Sequence, residues 1–497
     1  LLIGEILTNT AEEKGEKAAA VFEERELTYS QLETKTNQLA NGLLELGLEI
    51  DDMASILLPN SLEFLISYFG IMKSGATMVP LNVMYEPPAI EYVLNNSEAK
   101  VLITSQKFLP KIKNCDLEHL EEIIIVEEES VGGCQNLSEF WSQPDYPPHL
   151  EGVTESSVAA CLYTSGTTGD PKGAMLTHNN LIFDTEACIE RLDVDDTDRY
   201  LCVLPMFHAF AETVCMLMPV YLGAQLVIKE QFLPKSVLET MEQQEVTFFA
   251  AVPTMYTAML HVSDKEKYDL TNLDNCISGG AAMPLKTLED FEKTFGVTIL
   301  EGNGPTETSP VAYVNPPEGP IKPGSVGLPL SGVNVKIVDE NDNELPRGKV
   351  GEIAVQGANV MKKYFKKPQA TKQALRSGWF HTGDMGKMDE DGYVYIVDRK
   401  KNMINVGGMN VYPREIEEHL YRHSKIQEAA VVAAKDELRG EIPKAYVVTK
   451  QSQEISPQQV KVYCRNQFAN YKVPKLVEIV DELPKSATGK IDKKQLK

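Results

Sequence analysis

Tyr163-Thr164-Ser165-Gly166-Thr167-Thr168-Gly169-Asp170-Pro171-Lys172-Gly173 places three glycines, four aliphatic hydroxyls and one lysine directly after the apolar run Ala159 to Tyr163. The run reads as a buried strand, and the string after it has the parts that phosphate binding requires. Glycines let backbone N–H groups approach an anion, hydroxyls donate hydrogen bonds, and lysine brings a point charge. It is not a Walker A loop, because no Gly-Lys pair in the chain is followed by Ser or Thr. A flexible polar turn is the plain alternative, and the combination of composition and position argues against it.

On both sides of this loop, strand and helix periods alternate. Thr28 or Ser30 caps a helix whose Leu32, Leu39 and Leu43 share one face and which Gly47 ends. Strands are expected at Ser55 to Leu58, Met78 to Leu81, Val101 to Thr104 and Glu122 to Val126, then at Leu226 to Ile228, Phe248 to Val252 and Ile299 to Leu300. Apolar strands with helical crossovers imply an α/β fold of doubly wound parallel sheets buried on both faces. The proline-rich stretch Gln143 to Gly152 reads as a linker between two such layers, and Asn315 to Gly324 as a second loop. Short strands at Val335 to Val338, Glu352 to Val355 and Tyr393 to Val397 then suggest a β-rich part, about residues 325–398. After the charged turn Asp398-Arg399-Lys400-Lys401 comes a small α+β pattern: strands near Ala429 to Ala433 and Ala445 to Val448, and a helix from Pro457 to Phe468. Two domains are therefore expected, 1–398 and 399–497.

The bulk properties exclude several function classes. The 497 residues carry 48 basic and 72 acidic side chains, a formal charge of −24. Such a chain lacks the global basic field of a nucleic-acid binder, so polyanions must be met by local basic clusters. Eight scattered cysteines without a C-x-x-C pair read as free thiols in a reducing cytoplasm. No charged-then-apolar signal segment opens the given sequence, which disfavours secretion. The most apolar stretch, Thr213 to Ile228, is broken by Pro219, Gly223 and Gln225 and is shorter than the roughly 20 residues of a membrane span. It reads as a core helix followed by a strand. Peripheral membrane contact and homodimer formation stay open.

Five strings, in order, resemble the adenylate-forming superfamily of acyl-CoA synthetases, luciferases and nonribosomal-peptide adenylation domains. They are the loop at Tyr163, Glu301-Gly302-Asn303-Gly304-Pro305-Thr306-Glu307, Gly378-Trp379-Phe380-His381-Thr382-Gly383-Asp384, Asp398-Arg399-Lys400-Lys401, and Pro484-Lys485-Ser486-Ala487-Thr488-Gly489-Lys490. The resemblance covers essentially the whole chain. It implies ATP, Mg²⁺ and coenzyme A as cofactor and co-substrates, and activation of a carboxylic acid as an acyl-adenylate followed by transfer to the thiol.

The resemblance also implies residue roles. ATP falls to Thr164, Ser165, Gly166, Thr167, Thr168, Gly169, Lys172, Gly280, Ala281, Asn303, Gly304, Asp384 and Arg399, the last two at the ribose. Thr306 contacts the α-phosphate, Glu307 holds Mg²⁺, and Lys490 bridges carboxylate and α-phosphate. His208 lies beside the acyl carboxylate, with Phe207, Phe210, Ala211, Gly279, Gly280, Ala281 and Gly304 as acyl-pocket walls. Lys401 matches the pivot about which a small mobile C-terminal domain turns, and Gly407 and Gly408 the contact with pantetheine. Each has a plain alternative without the family: a tail lysine, a turn aspartate, a packed histidine, a glycine turn.

The stretch from Tyr395 to Glu417 looks most like medium- and long-chain fatty acid:CoA ligases, with an aryl-CoA ligase for a cinnamate- or benzoate-like acid as the alternative. Phe207-His208 stands where amino-acid-activating relatives carry Phe-Asp, which disfavours an amino acid. Transfer to a carrier protein, or nucleotide and lipid binding without turnover, are further readings. Two departures stand out. Asn303 replaces a tyrosine common in the family and cannot stack on adenine as a ring does, and Glu212 near the acyl wall either points away or marks a polar substrate. His419 and His423, four apart on a helix, lack a third metal ligand and are expected to face solvent.

Overall fold

The structure, a computed structural model, describes residues 1–129, 131–164, 171–450, 453–486 and 489–496. Within them, the expected helix forms over Tyr29–Glu45, where the Thr28 hydroxyl accepts from the Gln31 N–H and closes a capping box. Its Leu32, Leu39 and Leu43 are fully buried. The strands Met53–Leu57 and Phe248–Ala251 are buried at every residue, as parallel strands covered on both faces must be.

Among the described residues two large sheets form the main body. One has eight strands, with Val158–Thr164, Thr77–Pro80, Met53–Leu57, Val101–Thr104, Glu122–Ile125 and Gln135–Asn136 running parallel, and Lys172–Thr177 and Lys363–Tyr364 added antiparallel at one edge. The other has nine strands, with a parallel centre formed by Ile299–Asn303, Asn275–Ser278, Phe248–Ala251, Arg199–Cys202, Gln225–Ile228 and Ala18–Phe22. The stretch at residues 143–152 is therefore not a linker between layers, since strands on both sides of it lie in the eight-stranded sheet. It lies along the helix Tyr29–Glu45, where the Asn37 and Asn41 amides donate to the carbonyls of Pro144, Asp145 and Tyr146. Strand order follows the burial of apolar faces, and proline content alone does not reveal it.

The β-rich part is a five-stranded antiparallel sheet that includes Asn334–Val338, Gly351–Gln356, Trp379–Met388 and Val394–Arg399. A smaller α+β unit follows, with Ile426–Asp436 and Gly440–Thr449 as its long hairpin and the helices Pro413–Tyr421 and Pro457–Arg465 packed on it around a separate core. Its two histidines, one on the helix Pro413–Tyr421 and one just past it, are half-buried rather than simply solvent-facing: His419 stacks on Tyr463 at 4.2 Å between ring centroids, and His423 meets the same ring edge-on at 4.6 Å. An aromatic neighbour on the adjacent helix provides more favourable contact for the imidazole faces than water does.

Thr213 to Ile228 is a buried helical stretch followed by the strand Gln225–Ile228. Glu212–Leu217 has π-helical hydrogen bonding directly before Met218–Leu222. A widened turn suits a helix that continues through Pro219, which has no N–H to give. No described helix is long and apolar enough to cross a membrane.

Candidate active site

The carboxyl ends of parallel strands in open α/β sheets frame ligand sites, because chain and helices diverge there. Here the two large sheets direct such ends toward one cavity of about 610 Å³, reached by Pro80, Thr164, Gly279, Asn303 and Gly304. Lys172, Phe207, His208, Phe210, Gly280, Thr306, Glu307, Arg399, Lys401 and Lys490 also line it. An adjoining cleft of about 710 Å³ shares Gly280, Asn303, Arg399, Lys401 and Lys490 and adds Ala281 and Asp384. Ser165, Gly166, Thr167, Thr168 and Gly169 lie outside the described residues.

Three expected residues are not brought in. Ala211 is fully buried and lines neither space: on its short helical turn it faces the core, while Phe210 and Val214 face the cavity. Gly407 and Gly408 form an exposed turn between Ile404–Val406 and Met409–Val411 and likewise line neither. Gly304 is at the wall for a backbone reason, since a Cβ there would lie 1.9 Å from the Pro310 carbonyl oxygen.

The small unit enters the cleft through Lys490. The Thr254 hydroxyl donates to the Gly489 carbonyl at 2.7 Å, and the Ser486 N–H donates to the Lys490 carbonyl at 2.7 Å. A Cβ on Gly280 would come within 2.8 Å of Lys490 Cε and 3.0 Å of Nζ, so the bare glycine backbone makes room for the ammonium stem. Burial, helped by the Arg399 cation and opposed by Asp384, pushes the Lys490 amine down to about 8. His208 is pushed down to about 3, by burial first and then by Lys490, and so stays neutral. Its Nδ1 accepts from the Phe210 N–H at 3.2 Å, which leaves the proton on Nε2 as a donor.

Asp384 and Arg399 are cross-strand partners, with Arg399 Nε 2.7 Å from Asp384 Oδ1. Burial raises the Asp384 carboxyl and the guanidinium opposes that shift. Within electrostatic reach of this pair, the Tyr364 hydroxyl donates to Glu307 Oε1 at 2.6 Å, and Lys172 Nζ sits 5.2 Å from the centroid of the Tyr364 ring. Among the described residues no group of three His, Cys, Asp or Glu side chains can hold a metal. One carboxylate beside the Thr306 hydroxyl fits a hard cation such as Mg²⁺, which takes most of its ligands from substrate phosphates and water.

Several cavity residues stand in none of the five strings: Tyr364, Cys188, Val214, Ile277 and Val311. Apolar residues of this kind look like any core position in the sequence. Glu212 lines neither space; it accepts from the Tyr68 hydroxyl at 2.9 Å, and burial pushes its carboxyl up to about 7. It points away from the acyl wall.

The family model described as AMP-binding enzyme matches residues 7–365, and that of the AMP-binding enzyme C-terminal domain matches residues 415–490. The chain belongs to the AMP-binding enzyme family. Relatives of this AMP-binding enzyme include a long-chain-fatty-acid–CoA ligase of Bacillus subtilis (strain 168), 36% identical over 99% of this chain and 93% of the relative. A feruloyl-CoA synthase of an Amycolatopsis species is 35% identical over 95% of this chain and 93% of its own. Among solved structures, the anthranilate CoA ligase AuaEII in complex with anthranoyl-AMP superposes with a TM-score of 0.94 at 31% identity, covering 100% of this chain and 96% of that one.

Proposed function

We propose that this chain is an ATP-dependent acid:CoA ligase acting on a medium- or long-chain fatty acid. In the first half-reaction a carboxylate oxygen attacks the α-phosphorus of ATP and pyrophosphate leaves; in the second the coenzyme A thiol attacks the acyl carbon and AMP leaves. The observation that carries this reading is the single cavity in which Lys490, Lys172, Thr306 and Glu307 face a neutral His208 and apolar walls.

Two anions must meet in the first step, so positive charge is the main requirement. An ion pair at about 4 Å contributes roughly 4 kcal/mol at an effective dielectric near 20, enough for several powers of ten if it acts mainly in the transition state. Lys490 supplies that charge to carboxylate and α-phosphate, Lys172 and Thr306 hold phosphates, and His208 Nε2 donates to the carboxylate. Asp384 and Arg399 take the ribose hydroxyls, with Gly280, Ala281 and Asn303 at the adenine. Glu307 would hold Mg²⁺, which would supply neutralisation of phosphate charge. Residues 399–497 act as a domain that turns about Lys401, exchanging Lys490 for the Gly407–Gly408 loop and the pantetheine it meets.

The fatty-acid assignment is supported by the apolar walls Phe207, Phe210, Val214, Ile277 and Val311 and by the Bacillus subtilis relative. The feruloyl and anthranilate relatives favour an aryl acid as the second reading. Free cysteines at all eight positions support a cytoplasmic location. Acid-dependent ATP–pyrophosphate exchange with fatty, aryl and amino acids, followed by thioester formation with coenzyme A, tests the proposal. Exchange and thioester with a fatty acid are expected; preference for an aryl acid selects the second reading, and no exchange with any acid overturns both.

A further inference from the structure

Tyr364 lies between two lysine pairs in the stretch Met361-Lys362-Lys363-Tyr364-Phe365-Lys366-Lys367. Yet Tyr364 is 7% exposed. Its two-residue strand Lys363–Tyr364 pairs with Lys172–Thr177, the strand that leaves the phosphate loop. The main chain around it is tied to both sides of the cavity: the Met361 N–H donates to the Glu307 carbonyl at 2.8 Å, and the Phe365 N–H to the Gly173 carbonyl at 2.8 Å. From this position the phenol reaches Glu307 Oε1 at 2.6 Å, and the ring lies 5.2 Å from Lys172 Nζ.

We propose that Tyr364 is a positioning residue that holds Glu307 ready for the divalent cation and Lys172 ready for the phosphates. The proposal rests on the ligase reading and on Glu307 as the metal-holding carboxylate. A carboxylate with several rotamers loses conformational freedom when it takes up a metal complex, and a neighbour that has already fixed one oxygen removes part of that cost. Oε1 accepts the phenol's hydrogen bond, and the carboxylate's remaining lone pairs are those it would offer the cation. The ring face fixes the ammonium by cation–π attraction, so one side chain sets the spacing between the two groups that grip the triphosphate.

The test compares Y364F, which keeps the ring and removes the hydroxyl, with Y364L, which removes both. For Y364F the Mg²⁺ concentration giving half-maximal pyrophosphate exchange rises about tenfold, in line with loss of one hydrogen bond to a charged group, while the rate at saturating Mg²⁺ changes little. Binding of Mn²⁺ to the enzyme–ATP complex, read by electron paramagnetic resonance without turnover, weakens by a similar factor. Y364L adds a rise in the KM for ATP, because Lys172 loses its platform. In the E307Q background, Y364F has no further effect on Mn²⁺ binding. An unchanged Mn²⁺ affinity in Y364F, with E307Q weakened, overturns the positioning role alone. Mn²⁺ affinity unaffected by E307Q removes the metal role of Glu307 beneath it, and wild-type protein without exchange removes the ligase reading.

Discussion

Two loops of the small C-terminal unit stand in opposite situations. The Gly489–Lys490 loop is seated in the cleft, bonded to Thr254, its ammonium against Gly280; the Gly407–Gly408 loop is exposed and touches neither cavity. On the proposed reading each loop serves one half-reaction. If those proposed roles hold, this one arrangement provides for adenylate formation and leaves the thiol-side surface unused. Both loops can serve one substrate only if the unit turns.

The largest effect should come from emptying the seated loop. K490A is expected to slow pyrophosphate exchange by something like 10² to 10³, the scale of losing one transition-state donor, while thioester formation from supplied acyl-AMP is largely kept. Equal loss in both assays would dissolve the contrast between the loops. K401P should show the opposite split, with exchange kept and transfer reduced on the order of a hundredfold, because a fixed φ at the pivot obstructs the turn. Transfer at the wild-type rate in this variant would remove Lys401 as the pivot.

A pH profile sharpens the comparison without mutation. The Lys490 amine, pushed down to about 8, is cationic below that value and neutral above it. The kcat/KM for ATP in exchange should therefore fall as pH rises through about 8, and transfer from supplied acyl-AMP should lack that limb. Bound ATP raises the amine's ionisation again, so the limb in kcat should lie higher than the limb in kcat/KM. The smallest effects come from methyl groups. G280A puts Cβ against Lys490 at a φ of +76° and should cost exchange roughly tenfold. G408A meets nothing within 4 Å at a φ of +89°, so exchange should stay within about twofold while transfer drops if pantetheine needs that space.

Much of this was legible in the sequence, for identifiable reasons. Strands buried on both faces announce themselves as apolar runs, and Val101–Thr104 falls where the run does. The charged and hydroxyl-bearing site residues are conspicuous because nothing in a core calls for them. Tyr364 is the opposite case: a lysine-rich context hides it, and only its pairing with Lys172–Thr177 carries it to Glu307. The proline-rich stretch at 143–152 misled because proline marks where a chain leaves regular structure and is silent about which sheet it rejoins. His419 and His423 were hard to place because their partner, Tyr463, is on another helix.

The nine-stranded sheet mixes early and late chain, pairing Ala18–Phe22 with Gln225–Ile228. On a ribosome adding about 5 to 20 residues per second, the early strand emerges some 10 to 40 s before its partner exists. Through that interval one edge is paired with Arg25–Thr28 and the other has no native neighbour. The heaviest demand on chaperones should therefore fall during synthesis of the middle of the chain, and end once residue 228 has cleared the exit tunnel.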